Sequence, residues 1–232
     1  MSYIDLPMPA RKYFFFKLPS EHGAVAVFSL ATVVSLFLCR AELTPVAGAL
    51  VLLWLIMMST HNDKLLFFLT VLSALFMCLF GNSLVALFLF LSFLGIELTK
   101  ASKAAESLWW REIVGLSGAA LAPLVVAGLI AGNLQSILPA ALAFLASVMT
   151  GIFLIHACRP EMKVSPLPTA LFSLVFWIWL ACLNSTLTLA SLLPYCLQIL
   201  WILKRKRPYL KQLGLAQAAC MTLVSLAILI SG

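Results

Sequence analysis

Long apolar runs that contain almost no ionisable side chains constrain this sequence more than any other feature. The runs are about 16 to 20 residues long, the length that an α-helix needs to cross a hydrocarbon layer about 30 Å thick. Hydrophobic residues make up 63% of the 232 positions and charged residues only 10%, against roughly 25% charged in a soluble domain. A soluble fold could not bury so much apolar surface, so the sequence predicts an integral membrane protein.

The expected fold is an all-α polytopic bundle that forms a single transmembrane domain over residues 1–232. Helices are preferred to barrel strands because no segment alternates polar and apolar residues with a period of two, and because a helix satisfies its own backbone groups within lipid. Breaks in the apolar pattern predict about nine helices. Their approximate ranges are 22–39, 44–60, 64–80, 83–98, 112–131, 136–157, 167–183, 186–204 and 213–231.

The distribution of basic residues predicts how the helices are oriented. With nine crossings and a cytoplasmic N-terminus, every lysine and arginine except Arg40 falls on the cytoplasmic side, as the positive-inside rule requires. Residues 1–20 then form a cytoplasmic N-terminal segment, and 99–112 form a cytoplasmic loop. This loop ends in Trp109 and Trp110 and is expected to lie in the headgroup layer.

Charge and cysteine content argue against two other classes of protein. The formal charge of +7 is explained by loop lysines and arginines, so we expect no nucleic-acid partner. The six cysteines show no CxxC spacing, which indicates neither a disulfide framework nor a zinc knuckle. Gly115, Gly118, Ala119 and Ala122 give the fifth predicted helix a small-residue face suited to close packing.

The three histidines all fall on the predicted cytoplasmic side, which topology does not explain. His22 opens the first helix, His61 lies in the turn between the second and third helices, and His156 closes the sixth. Histidine and carboxylate side chains bind transition metals, and arginine and lysine bind phosphate groups. These loops are therefore candidates for a metal site, a diphosphate site, or both. The nearby polar residues are Glu21, Asn62, Asp63, Arg159, Glu161 and Lys163.

A simpler interpretation stays open for the same residues. Glu21 stabilises the dipole of the first helix, Asn62 and Asp63 cap the third, and His156 marks the hydrated end of the sixth.

Two stretches carry a resemblance to a known family. The stretch "LPSEHGAVAV" (residues 18–27) is similar to the Pro-x-(Glu/Gln)-His-Gly-Ala entry to the first helix of the YwiC-like family of bacterial membrane proteins, and "RKRPYLKQLGLAQAA" (205–219) is similar to that family's C-terminal end. YwiC-like proteins look like distant relatives of UbiA-type prenyltransferases. The resemblance implies a UbiA-like nine-helix bundle in the bacterial cytoplasmic (inner) membrane, with its site on the cytoplasmic side.

In UbiA enzymes, aspartate-rich loops hold Mg²⁺, which binds an isoprenoid diphosphate. By that resemblance the cofactor is a divalent metal such as Mg²⁺ and the ligand is lipidic or isoprenoid. This sequence departs from the motifs, since its aspartates are Asp5 and Asp63 alone, and "HND" (61–63) keeps only a fragment.

Two functions are therefore considered. One is a divergent UbiA-like transferase, and the other is a non-catalytic membrane protein that binds a lipid, quinone or haem-like ligand or serves a respiratory or transport complex. In the first, Glu21, His22, His61 and Asp63 are candidate catalytic residues, and Asn62, Arg159 and Lys163 are candidate substrate-binding residues. The candidate metal ligands are His22, His61, Asp63, His156 and Glu161.

Overall fold

The computed structural model describes residues 22–58, 71, 108–158, 165–205 and 209–231, and this part of the chain is helical with no β-strand. Seven α-helices and a short 3₁₀ turn at Arg40–Glu42 make up the described part. The helices are α1 (His22–Leu38), α2 (Leu43–Met58), α3 (Leu108–Ile130), α4 (Leu134–Cys158), α5 (Leu167–Leu183), α6 (Ser185–Arg205) and α7 (Leu210–Ser231).

These seven helices agree with seven of the predicted apolar segments to within a few residues. The predicted helices at 64–80 and 83–98, and the N-terminal segment 1–20, lie outside the described residues. Helix α3 begins at Leu108, earlier than the predicted start at 112, so the C-terminal end of the predicted interfacial loop 99–112 is helical. Trp109 and Trp110 are therefore helical residues.

Two tight turns join consecutive helices. Between α3 and α4, Gly132 adopts a φ of 64°, a left-handed conformation that glycine tolerates without steric cost. Asn133 Oδ1 then accepts a hydrogen bond from the Ser136 amide at 3.2 Å and caps α4. Between α5 and α6 the link is Asn184 alone, whose Oδ1 accepts from the Leu187 amide at 2.9 Å.

The helices from α3 to α7 alternate in direction because each is joined to the next by a short connection and packs against it. The C-terminal ends of α4 and α6 and the N-terminal ends of α5 and α7 therefore meet at one end of the bundle. α1 packs on α3 and α7 at the side of this arrangement, and α2 also contacts α3.

Helix α4 lies at the centre of the bundle. It contacts α1, α3, α5, α6 and α7, and 15 of its 25 residues are buried. Most of these are small or aliphatic, including Ala140, Ala143 and Ala146, which let neighbouring helices approach closely.

Helices α5 and α6 bury polar side chains and expose apolar ones. Thr169, Ser173 and Trp177 repeat at helical spacing along the buried face of α5. Leu171, Leu174 and Ile178 on the opposite face are each more than half exposed. A helix that packs against a protein core in water does the opposite: it buries its apolar face and exposes its polar face.

Within the part of the chain that the structure describes, three helices are long and apolar enough to cross a membrane: α4, α6 and the part of α7 from Lys211 to Ser231. Shorter apolar helical stretches occur at 25–38, 43–55, 116–130 and 167–183.

The predicted close-packing face of α3 is wrong at Gly118. This residue is exposed, and a Cβ atom placed on it would meet nothing within 4 Å. The buried face of α3 instead contains Ala120, Leu124 and Ala127. Small residues at helical spacing indicate that close packing is possible, but several faces of α3 carry them, and hydropathy alone does not select one.

Candidate buried polar site

The predicted cytoplasmic cluster falls largely on residues outside the described ranges. These residues are Glu21, His61, Asn62, Asp63, Arg159, Glu161 and Lys163. His22 is the first residue of α1, and its side chain is likewise outside the description. Whether the cluster comes together is therefore still a prediction.

His156 is the one predicted site residue whose side chain is described. It lies in the last turn of α4 and is only 2% exposed, so it faces the bundle. This position is at the end of the bundle where α4 ends and α5 and α7 begin. Within the described ranges, no three His, Cys, Asp or Glu side chains form a group that could hold a metal ion.

The described residues do contain a buried polar cluster, formed by side chains of α4, α5, α6 and α7. Thr150 and Tyr195 lie eight and ten residues before the ends of α4 and α6, and Ser173 and Gln217 lie six and seven residues after the starts of α5 and α7. At about 1.5 Å per residue, all four are roughly 9 to 15 Å from the same end of the bundle. They therefore lie at a similar level and near the middle of their helices.

The first part of this cluster joins α4 to α5. Thr150 Oγ1 donates to the Ala146 carbonyl at 2.7 Å and lies 2.6 Å from Ser173 Oγ. Trp177 Nε1 donates to the same Thr150 oxygen at 3.0 Å. Because a threonine hydroxyl has a single proton, Ser173 must be the donor in the second contact. The Thr150 hydroxyl thus donates once and accepts twice, so its hydrogen-bonding capacity is fully used.

The second part joins α4, α6 and α7 through Gln217. Its Nε2 atom donates to Tyr195 Oη at 3.2 Å and to the Ser147 carbonyl at 3.2 Å. Tyr195 Oη donates in turn to Met221 Sδ at 3.4 Å. The Trp177 and Tyr195 rings meet edge to face, with centroids 6.1 Å apart, so the two parts of the cluster are in contact.

Gly151 allows Gln217 to reach this position. A Cβ atom at Gly151 would collide with the side-chain amide of Gln217. The amide therefore lies directly against the backbone of α4, and only glycine leaves room for it.

Three buried polar atoms in and beside this cluster make no hydrogen bond: Ser147 Oγ, Ser191 Oγ and Gln217 Oε1. Ser147 Oγ faces the Tyr195 hydroxyl without reaching hydrogen-bond geometry. Both amide protons of Gln217 are used, but its carbonyl oxygen has spare accepting capacity. Such buried, unsatisfied groups cost free energy, and a polar ligand group or water would satisfy them.

Cys220 extends the cluster on the α6–α7 side. Its thiol donates to Gln198 Oε1 at 3.3 Å and approaches the Pro194 carbonyl at 3.5 Å. The cluster therefore consists of hydroxyl, amide, phenol, thiol and thioether groups, and none of these side chains is a carboxylate or a base. Its chemistry suits hydrogen bonding to a neutral polar group or cross-linking of helices.

The sequence analysis missed this cluster because single Thr, Ser and Gln residues barely lower the hydropathy of a long apolar run. A signal was present in the spacing: Thr169, Ser173 and Trp177, like Thr188, Ser191 and Tyr195, repeat at three to four residues and so share a helix face.

Comparison with known proteins finds no family model that matches the sequence, no similar curated protein and no similar solved structure.

Proposed function

We propose that this chain is a multi-pass protein of the bacterial cytoplasmic membrane and that its polar cluster binds the neutral polar group of a lipidic ligand. The membrane location is inferred from α5 and α6, which bury their polar side chains and expose their apolar ones. Leu189, Leu193 and Leu197 on α6 are between 57% and 71% exposed, and water would not tolerate a row of such side chains on a helix whose buried face is polar.

A membrane-facing arginine tests this location. Leu193→Arg places a charge in the middle of the exposed face of α6, where insertion costs about 2.5 to 3.5 kcal/mol. We expect the variant to be depleted from the carbonate-resistant membrane fraction. Leu193→Ala is the control and should stay in that fraction. Wild-type protein released by carbonate would contradict the membrane assignment.

The single observation that supports ligand binding is the spare hydrogen-bonding capacity at Gln217 Oε1, beside the Tyr195 hydroxyl. A hydroxyl or quinol group could donate to this oxygen, and a carbonyl group could accept from Ser147. Gln217 as a residue is only partly buried, but its Oε1 atom is enclosed, so a ligand reaches this oxygen from the α7 side only after side chains there move. A lipid or quinone is the class of ligand that matches both the neutral polar groups and the apolar surroundings.

Mass spectrometry of lipids extracted from purified protein tests this part. We expect the wild type to retain one neutral lipid or quinone enriched over its abundance in the membrane. Gln217→Leu should lose the enrichment because the amide is removed. Gln135→Leu, at an exposed position early in α4, is the matched control and should keep it. Extracts that only mirror the bulk membrane would contradict the proposal.

A UbiA-like transferase is the second candidate, and the burial of His156 at the end of α4 favours it. In this alternative His156 joins His22, His61, Asp63 and Glu161 around a divalent metal such as Mg²⁺. Arg159 and Lys163, which follow His156 in the sequence, bind the diphosphate, with Asn62 beside it. Isoprenoid diphosphate turnover that requires Mg²⁺ and is lost in His22→Ala, with membrane insertion intact, would support it. Absence of metal-dependent turnover in the wild type would count against it.

A further inference from the structure

The end of the bundle where α6 meets α7 carries a group of exposed basic and aromatic side chains. Lys204 and Arg205 close α6, and Tyr209 and Lys211 precede and begin α7; all four are exposed, Tyr209 to 75%. Trp201 lies one turn before Arg205 and is partly buried. We call these five residues the basic rim.

One cation of the basic rim is held in place by an aromatic ring. The guanidinium carbon of Arg205 lies 5.5 Å from the centroid of the Trp201 ring, a cation–π geometry. A stacked guanidinium keeps its N–H edges free, and those edges match the oxygens of a phosphate group. Tryptophan and tyrosine are also the side chains enriched where membrane and water meet.

The charge of the basic rim is not balanced by its own part of the chain. No aspartate or glutamate occurs in the sequence after Glu161, so α5, α6, α7 and their connections carry no acidic side chain. The sequence from α5 to α7 therefore contains the four consecutive basic residues at 204–207 and Lys211 with no acidic residue among its own positions. The partner that complements it must be anionic.

Exposed leucines lead along α6 to the basic rim. Leu193, Leu197, Leu200 and Leu203 are 60%, 57%, 56% and 69% exposed. Their spacing of three to four residues places them in one row along the helix. An anionic partner that covers both the cations and this row must have an anionic head and a long hydrocarbon chain.

We propose that the basic rim binds the headgroup of an anionic phospholipid, whose acyl chain lies along the exposed leucines of α6. Arg205, Lys204 and Lys211 contact the phosphate, and Trp201 and Tyr209 lie at the level of the glycerol backbone. This inference rests on the proposed membrane location, but it is independent of the ligand proposed for Gln217.

Native mass spectrometry in detergent, with phosphatidylglycerol or phosphatidylcholine added to the delipidated protein, tests the proposal. We expect the wild type to bind phosphatidylglycerol more tightly than phosphatidylcholine. Each basic residue near a membrane surface contributes about 1 kcal/mol to anionic lipid binding, so Arg205→Gln should lower this preference about fivefold. The combined variant with Lys204→Gln, Arg205→Gln and Lys211→Gln should abolish it.

Arg40→Gln is the matched control. Arg40 is also an exposed arginine stacked on an aromatic ring, with its guanidinium carbon 5.9 Å from the centroid of Phe37, but it lies in the turn between α1 and α2. Its loss should leave the phosphatidylglycerol preference unchanged. An equal loss in Arg40→Gln would show a non-specific charge effect and would overturn the assignment.

Four further outcomes would contradict the proposal or its premise. An unchanged preference in the combined variant overturns the proposal. Displacement of phosphatidylglycerol by soluble glycerol 3-phosphate at similar concentration also overturns it, because the site would then recognise a free anion.

Carbonate extraction separates the two proposals. Release of the wild type contradicts the membrane location itself. Retention of the wild type without any phosphatidylglycerol preference contradicts the lipid site alone. Circular dichroism of each variant confirms that the exposed substitutions leave the helices folded.

Discussion

Helix α1 and the α4–α7 region use their polar side chains in different ways. In α1, Ser29, Thr32 and Ser35 each donate to the carbonyl four residues earlier in the same helix, at 2.7 to 2.8 Å. In the α4–α7 region, Thr150 and Gln217 make hydrogen bonds that join different helices. A hydroxyl bonded to its own helix leaves packing to apolar contacts, whereas a bond between helices fixes their mutual position. Among the described helices, the comparison places the side-chain hydrogen bonds that fix helix positions in α4–α7.

Matched threonine substitutions should give the largest contrast between the two regions. Thr150→Val removes the acceptor of both the Ser173 hydroxyl and the Trp177 indole. Leaving two buried donors without a partner should cost about 2 to 3 kcal/mol of unfolding free energy. Thr32→Val removes only a bond within α1 and should change stability by less than about 0.5 kcal/mol. Unfolding in mixed detergent measures the stability change of both variants. Equal losses of stability in the two variants would contradict the difference between α1 and the α4–α7 region.

Glycine substitutions should give an intermediate effect. An alanine at Gly151 displaces the Gln217 amide and so breaks its bonds to Tyr195 and Ser147, each worth about 0.5 to 1.5 kcal/mol. Part of this loss is offset by the higher helix propensity of alanine, so a net destabilisation of about 1 kcal/mol is expected. Gly118→Ala meets open space and should stabilise α3 by up to about 1 kcal/mol. Thermal unfolding of the two variants should therefore shift in opposite directions.

A double-mutant cycle should reveal the smallest effect. Thr150→Val and Trp177→Phe remove the two ends of one hydrogen bond, so their effects on stability should not add, with a coupling of about 0.5 to 1 kcal/mol. Thr150→Val and Thr32→Val share no partner, and their coupling should stay below about 0.5 kcal/mol. Additivity in the first pair would mean that the Trp177–Thr150 bond contributes nothing measurable.

The sequence predicts the helices of the described part well, because long apolar runs bounded by Asn, Gly and Pro leave few alternatives. It places the breaks at Asn133 and Asn184 correctly, since asparagine caps the helix that follows each. The start of α3 was less well predicted because Trp109 and Trp110 suit a helix and an interface equally.

The polar site was not predictable from hydropathy. Thr150 and Ser173 lie 23 residues apart in sequence and Gln217 and Ser147 lie 70 apart, so only the packing of helices brings them together. Charged residues do not indicate this site either, because the described cluster contains no charged side chain. The histidine and carboxylate cluster is still a prediction, as its members other than His156 lie outside the described side chains.

The single residue between α5 and α6 has a consequence for how the protein is made. Because Asn184 alone spans the reversal, the two helices cannot move far from each other during folding. In the proposed membrane location, the two helices enter lipid together as a hairpin, in which Trp177 already meets Tyr195 edge to face, and Ser173 and Trp177 bond to Thr150 once the hairpin packs on α4.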